Sequence, residues 1–141
     1  MKNFSLCHIG IAVKNISEAR KFYQNILGLN EIAGEVVEDQ KANTLFLELG
    51  DSKIELLEPL SSEGPVAKHL SKFGEGIHHI ALYVENLQET LDKLKQMDVW
   101  VIDEKPRKGA FNNSIAFLHP VSSHGVLIEL IERPKGRNQM G

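Results

Sequence analysis

The sequence is poor in several features that mark particular classes of protein. It has a single cysteine, Cys7, which excludes an internal disulfide framework. Because Cys7 lies in an apolar, strand-like stretch, we predict a packed thiol with no chemical role. No apolar run approaches the ~20 residues that a helix needs to cross a bilayer, and the opening "MKNFSLCHIG" lacks the apolar core of a signal peptide. These absences predict a cytoplasmic protein with no membrane partner.

The sequence also lacks a strong charge of either sign. The formal net charge is -3, and the 16 basic residues are scattered along the chain and form no stripe. A nucleic acid is therefore not expected as a partner. With 42% hydrophobic residues, 141 residues are enough to build one globular domain with its own core.

Two stretches of the chain repeat each other. "HIGIAVKNISEA" from His8 aligns without a gap with "HIALYVENLQET" from His79, and "KIELLEP" from Lys53 matches "LIELIERP" from Leu127. In the first pair, a strand-like run is followed by Asn and, three positions later, Glu, which is typical of a helix N-terminus. Each half is therefore predicted to be a β-α-β-β-β module.

The predicted fold class is α+β, with two paired β-α-β-β-β modules in a single domain over residues 1–141. Repeat 1 covers about 4–60 and repeat 2 about 76–134. The segment of about 61–75 is predicted to be a linker with a short helix, and the polar tail 135–141 is predicted to fray.

Further strands are expected in each module. In the first they lie near 30–36 and 43–50, and in the second near 99–104 and 114–120. The first helix is expected to end at Gly28, because glycine readily adopts the left-handed conformation that ends a helix.

Four residues with metal-binding side chains lie at matching points of the repeat. His8 and His79 open equivalent strands, and Glu55 and Glu129 lie among apolar residues of the last strand in each module. A lone histidine on such a strand is more often a hydrogen-bonded core residue, whereas a buried carboxylate is rare because it is costly unless paired. Both kinds at equivalent points favour a site for a divalent metal, formed if the halves pair about a pseudo-twofold axis.

The other histidines are not assigned to the metal. His78 has the opposite strand parity to His79, so we predict that it faces the helical layer or a subunit contact. His119 precedes Pro120 at a strand end, where a place at an interface or pocket rim and a structural role are both open.

The paired modules with the order His, Glu, His, Glu resemble the vicinal oxygen chelate superfamily of glyoxalases, extradiol dioxygenases and bleomycin-resistance proteins. Within it, "HIGIAVKNISEARKFYQNILGL", "KIELLEPL", "GIHHIALYVENL" and "FLHPVSSHGVLIEL" are most similar to the methylmalonyl-CoA epimerase family, over residues 5 to 133. The resemblance implies a U-shaped mixed sheet around a metal, with His8, Glu55, His79 and Glu129 as its ligands. Cobalt, manganese, nickel or zinc is the implied metal, and a homodimer the implied assembly.

The implied activity is that of an isomerase that epimerises methylmalonyl-CoA, or a similar acyl-CoA, by proton abstraction through a metal-stabilised enolate. Such a reaction needs a base on one face of the carbon and an acid on the other. Glu129 is predicted to be one of these catalytic groups. Some epimerases carry a further, non-ligand Glu where this chain has Thr44; Glu48 is the nearest acid of the same parity, and we expect it to flank a turn.

Two other functions remain open within the same fold. One is a glyoxalase-like lactoylglutathione lyase, and the other is a ligand-sequestering protein of the resistance type. A CoA enzyme needs a basic rim for phosphates, for which Lys105, Arg107 and Lys108 are candidates, although they are equally typical of a solvated loop. The family's Gly-rich loop reads "GAFN" at 109–112, and His124 stands where the family has glycine. An altered pocket for another acid is therefore possible.

Overall fold

The computed structural model of the chain describes residues 3–135. Its strands are β1 (Ser5–Ala12), β2 (Glu31–Val37), β3 (Ala42–Leu49), β4 (Ser52–Pro59), β5 (Gly76–Val84), β6 (Arg107–Lys108), β7 (Ser114–Leu118) and β8 (Ile128–Glu132). Its helices are α1 (Ile16–Arg20), which continues as a π-helical segment (Lys21–Ile26), α2 (Pro65–Phe73) and α3 (Leu87–Gln96). The chain divides into two compact units: the first is His8–His78, and the second is Met1–Cys7 with His79–Gly141.

The first unit contains a sheet in which β4 is central. It pairs in parallel with β1 and antiparallel with β3, and β3 pairs antiparallel with β2. Alternation along the strands sends Leu45, Leu47 and Leu56 toward α1, where they pack with Val13 and Ile16. The opposite face of the same strands carries the polar and aromatic side chains that are described below.

The second unit repeats this plan. Strand β8 pairs in parallel with β5 and antiparallel with β7, and β7 pairs antiparallel with β6. Leu87 and Leu91 of α3 pack with Val84, Ala116 and Leu130 on one face of the sheet. The expected α+β class and the paired β-α-β-β-β modules are confirmed, whereas the assignment of the whole chain to one domain stays a prediction.

The helix ends follow the sequence signals. The Asn15 side chain accepts a hydrogen bond from the Glu18 amide at 2.9 Å, and that of Asn86 accepts one from the Glu89 amide at 3.0 Å. Gly28 follows the first helix with a φ of +77°, a conformation that glycine adopts at low cost.

The strand predicted near 99–104 is wrong. There Val101 makes an isolated bridge with Leu118, and the regular pairing with β7 begins only at Arg107. Pro106 has no amide hydrogen to donate to a ladder. The Asp103 carboxylate also accepts the Phe117 amide hydrogen at 2.9 Å, in the place of a backbone carbonyl.

Two of the remaining expectations concern the chain ends and the membrane. Of the tail predicted to fray, residues 136–141 lie outside the described residues. Within 3–135, no helix is both long enough and apolar enough to span a bilayer.

Candidate metal centre

The first candidate pair lies on the face of the first unit's sheet opposite α1. In the parallel pairing of β1 and β4, His8 lies opposite Lys53 and Gly10 opposite Glu55. The His8 Nε2 atom is 3.0 Å from Glu55 Oε1, and both residues are buried. The Phe46 ring and the imidazole form a T-shaped contact, with ring centroids 5.2 Å apart. Each buried polar group of the pair therefore has a partner, as burial requires.

The second unit contains an equivalent pair. Ala81 of β5 lies opposite Glu129 of β8, and His79 Nε2 is 3.1 Å from Glu129 Oε1. Both residues are buried, and the ring of Phe117 meets the His79 ring edge-on with centroids 6.1 Å apart. A histidine, a carboxylate and an aromatic ring thus recur at the same places in both modules.

The sequence and the fold are similar to known proteins over most of their length. A family model described as the Glyoxalase/Bleomycin resistance protein/Dioxygenase superfamily matches residues 7–117. The chain belongs to this superfamily. The result confirms the resemblance drawn from the repeated motifs.

Relatives of this superfamily member cover nearly all of it. The uncharacterized protein YqjC of Bacillus subtilis (strain 168) is 49% identical over 131 residues, which is 93% of either chain. The mitochondrial methylmalonyl-CoA epimerase of Bos taurus is 35% identical over 126 residues, covering 89% of this chain and 72% of that protein.

A solved structure of methylmalonyl-CoA epimerase in complex with methylmalonyl-CoA and NH4+ superimposes with a TM-score of 0.88 at 33% identity. It covers 95% of this chain and 97% of that one.

Lys53 is a residue of this face that sequence reasoning passed over. It is two residues from Glu55 on β4, so the two side chains leave the same face of the strand, and Lys53 is only 8% exposed. Lysine is seldom buried unless paired. The repeat contained a signal for the burial of this position, because the apolar Leu127 occupies the equivalent place in the second module.

The sequence indicates Arg107 only as one member of a basic loop. Its guanidinium carbon lies 5.4 Å from the centroid of the Phe117 ring. Asp103 holds it through a contact of 3.3 Å between Oδ2 and Nε. The sequence gives no signal for this arrangement, because the position of the loop depends on how β6 pairs with β7.

Thr44 and Glu48 follow the expectations for them. The Thr44 side chain is buried, and its hydroxyl donates to the Glu35 carbonyl at 2.8 Å. Glu48 is exposed near the turn between β3 and β4, opposite Lys53. Neither residue supplies a buried carboxylate to the site.

The other histidines lie elsewhere. His78 packs against His69 of α2, with ring centroids 5.1 Å apart, so the predicted contact with the helical layer is confirmed. Burial lowers the pKa of His69. His119 stacks on the half-exposed ring of Trp100 at 4.1 Å.

Cys7 is fully buried, as predicted, in the core of the second unit. Tyr83 lies in the same cluster, and its pKa is raised by burial and further by the neighbouring Cys7. A phenol with a raised pKa stays protonated at neutral pH.

Proposed function

We propose that this chain is a metal-dependent isomerase that epimerises methylmalonyl-CoA or a closely similar acyl-CoA. The observation that carries the proposal is the buried His–Glu pair found at the same place in each module. Membership of the superfamily and the likeness to methylmalonyl-CoA epimerases, one of them solved with methylmalonyl-CoA, support the choice of substrate.

The two pairs are proposed to hold one divalent ion together. The proposed ligands are His8 and Glu55 of the first unit and His79 and Glu129 of the second. Two imidazole nitrogens and two carboxylate oxygens fit a first-row ion such as cobalt, manganese, nickel or zinc. When bound, the ion supplies a Lewis acid for the oxygens of the thioester and the carboxylate.

The protein must also move a proton to and from the carbon between those two groups. A base on one face removes it, and an acid on the opposite face returns it. We propose Glu129 as one of the two groups. Its carboxylate is buried and is held in one orientation by the 3.1 Å contact with His79, and such positioning lowers the entropy cost of proton transfer.

The assembly and the cellular location are proposed on the resemblance and on the sequence. We expect a homodimer, and we expect it in the cytoplasm. Sedimentation of the purified protein tests the first expectation, and a monomer at micromolar concentration would contradict it.

Deuterium incorporation at the α-carbon of methylmalonyl-CoA in deuterated water tests the substrate, the metal and the reaction together. We expect exchange that stops with a chelator and returns when a divalent metal is restored. A glutathione hemithioacetal serves as the competing substrate, since a glyoxalase-like enzyme would convert it. Turnover of the hemithioacetal without exchange in the thioester would refute the proposed function.

A further inference from the structure

We propose that Arg107 binds an anionic group of the substrate next to the His79–Glu129 pair. This inference rests on the proposed function and adds to it a residue that selects the ligand. The guanidinium carbon of Arg107 lies 5.4 Å from the centroid of the Phe117 ring. The same ring makes a T-shaped contact with the His79 ring, with centroids 6.1 Å apart. One aromatic ring therefore separates a permanent cation from the proposed metal ligand.

The guanidinium is held in a fixed orientation. Asp103 Oδ2 contacts Arg107 Nε at 3.3 Å, and the same oxygen accepts the Phe117 amide hydrogen at 2.9 Å. The Asp103 side chain is only 17% exposed, and its hydrogen bond with the Phe117 amide ties it to β7. Among the described residues these contacts engage Nε and the face of the guanidinium, and leave Nη1 and Nη2 for a ligand.

The backbone around Arg107 lies close to β7. Arg107 lies opposite Ile115 in the short pairing of β6 with β7. Gly109 follows closely, and a Cβ atom at that position would lie 2.7 Å from the Ile115 side chain. Glycine at this position therefore leaves room for the Ile115 side chain.

The feature is specific to one module. Arg107 pairs with Ile115, and the residue that pairs with the equivalent Thr44 in the first module is Glu35. The charge at this point is thus reversed between the modules. The neighbouring Lys105 and Lys108 are exposed.

The chemistry of the ligand follows from the guanidinium. Its planar end presents parallel N–H groups that match the two oxygens of a carboxylate or a phosphate, and it remains charged at any working pH. An acyl-CoA of the proposed kind offers both anions. The shared chemistry is an oxyanion with two accessible oxygens, and the experiment decides which part of the substrate supplies it.

The test measures dissociation constants by titration calorimetry on the metal-loaded protein with three probes. Malonyl-CoA has a carboxylate and phosphates, propionyl-CoA has phosphates only, and S-malonyl-N-acetylcysteamine has a carboxylate only. We compare wild type, Arg107→Gln and a control, Lys93→Gln, which removes one exposed positive charge from the same unit. Bound metal and melting temperature are measured for each protein.

We expect Arg107→Gln to bind more weakly by about 10- to 100-fold, the size of effect typical of a charge-assisted hydrogen bond, while Lys93→Gln binds as wild type does. Weakening with the two malonyl probes alone assigns Arg107 to the carboxylate, and weakening with the two CoA probes alone assigns it to the phosphates. Either result supports the inference.

Unchanged affinity of Arg107→Gln for all three probes would overturn it. Loss of metal or of thermal stability in this variant would make the role structural and would also overturn it. If the variant does not fold, Arg107→Lys is used, and wild-type affinity in a folded Arg107→Lys protein would refute binding by the planar fork. A wild-type protein that binds none of the probes would instead refute the proposed function, and with it the role of Arg107.

Discussion

His78 and His79 are adjacent in the sequence but lie in different surroundings. His78 packs against His69 of α2, and His79 is 1% exposed and contacts Glu129. The difference follows from strand geometry, because successive side chains point to opposite faces.

We therefore expect His79→Ala to lose most of its bound metal and His78→Ala to keep it. Elemental analysis of the two purified variants after dialysis measures this directly. Equal loss from both, or loss from His78→Ala alone, would contradict the proposed ligand set.

Glu129 is proposed both as a ligand and as a proton-transfer group, and one substitution separates the two roles. Glu129→Gln keeps a ligating oxygen but removes the basicity, so we expect much of the metal to remain while exchange falls by ~10²–10⁴. Metal content and deuterium exchange are measured on the same preparation, with the exposed Glu104→Gln as control. Metal and activity that fall in proportion would leave Glu129 as a ligand only.

The candidate site could be predicted from the sequence only where the repeat and the strand period identify residues. His8 and Glu129 stood out because each has a partner at an equivalent position. Lys53 did not, because a lysine between a turn and an apolar run looks like a strand flank until the neighbouring strands bury it. Ligation by the four residues stays a prediction.

At the level of elements, each last strand also fixes the helix of its own module. Glu58 Oε1 accepts the amide hydrogen of Ile16 at 2.7 Å, and Glu132 Oε1 accepts that of Leu87 at 3.0 Å. The first amides of a helix lack partners within it, and a negative charge there also interacts favourably with the helix dipole. A proposed ligand and a helix cap thus lie three residues apart on one strand.

Removing such a cap is expected to destabilise the fold. Glu58→Ala should lower the free energy of unfolding by about 1 kcal/mol, the usual cost of losing a cap, and Glu58→Gln should lower it less because it keeps an acceptor. Urea denaturation of the two variants and of the exposed control Glu63→Ala measures the difference. A Glu58→Ala protein as stable as the control would contradict the capping role.

The loops that depart from the family's glycine pattern contain left-handed residues. Phe111 and Asn112 have φ values of 55° and 62°, and His124 has 61°. The left-handed conformation costs conformational free energy for residues other than glycine, and the cost is smaller for asparagine than for most. The glycines that the resemblance implied at these positions agree with the backbone.

His124→Gly is accordingly expected to stabilise the protein by up to about 1 kcal/mol, the balance between relieved strain and the greater freedom of glycine when unfolded. Asn112→Gly should stabilise the protein by less, because asparagine tolerates the left-handed conformation better than histidine does. Thermal and urea denaturation check both, and a His124→Gly variant that is less stable than wild type would show that the side chain makes a contact worth more than the strain.

The strand that was misplaced near 99–104 shows where element prediction failed. The apolar run "VWVI" predicts a strand by its residue types, but it makes an isolated bridge of Val101 with Leu118. Regular pairing with β7 begins at β6. Here the Asp103 carboxylate, and not a backbone carbonyl, accepts the Phe117 amide hydrogen. Such a contact depends on the tertiary structure and cannot be predicted from the strand preferences of single residues.

For the whole molecule, the repeat predicted that the two halves share one β-α-β-β-β plan. The structure adds the strand order, in which the first and last strands of each module pair in parallel. The bounds of the single domain and its assembly stay predictions, since they depend on contacts that no local pattern encodes.

Metal binding should stabilise the whole fold. A ligand that binds the folded state stabilises it by mass action, by about 2.7 kcal/mol at a concentration 100 times its dissociation constant. We therefore expect a chelator to lower the melting temperature of wild type and restored metal to raise it again. His79→Ala should not respond, and a wild-type melting temperature that is unchanged on loss of metal would argue against ligands drawn from the core.

The two modules are alike at the His–Glu pairs and different at charged positions, with Lys53 matched by Leu127 and Glu35 matched by Arg107. Each half therefore presents the same pair of side chains in a different electrostatic setting. The duplication is exact where a histidine meets a carboxylate and inexact in the charges around that contact.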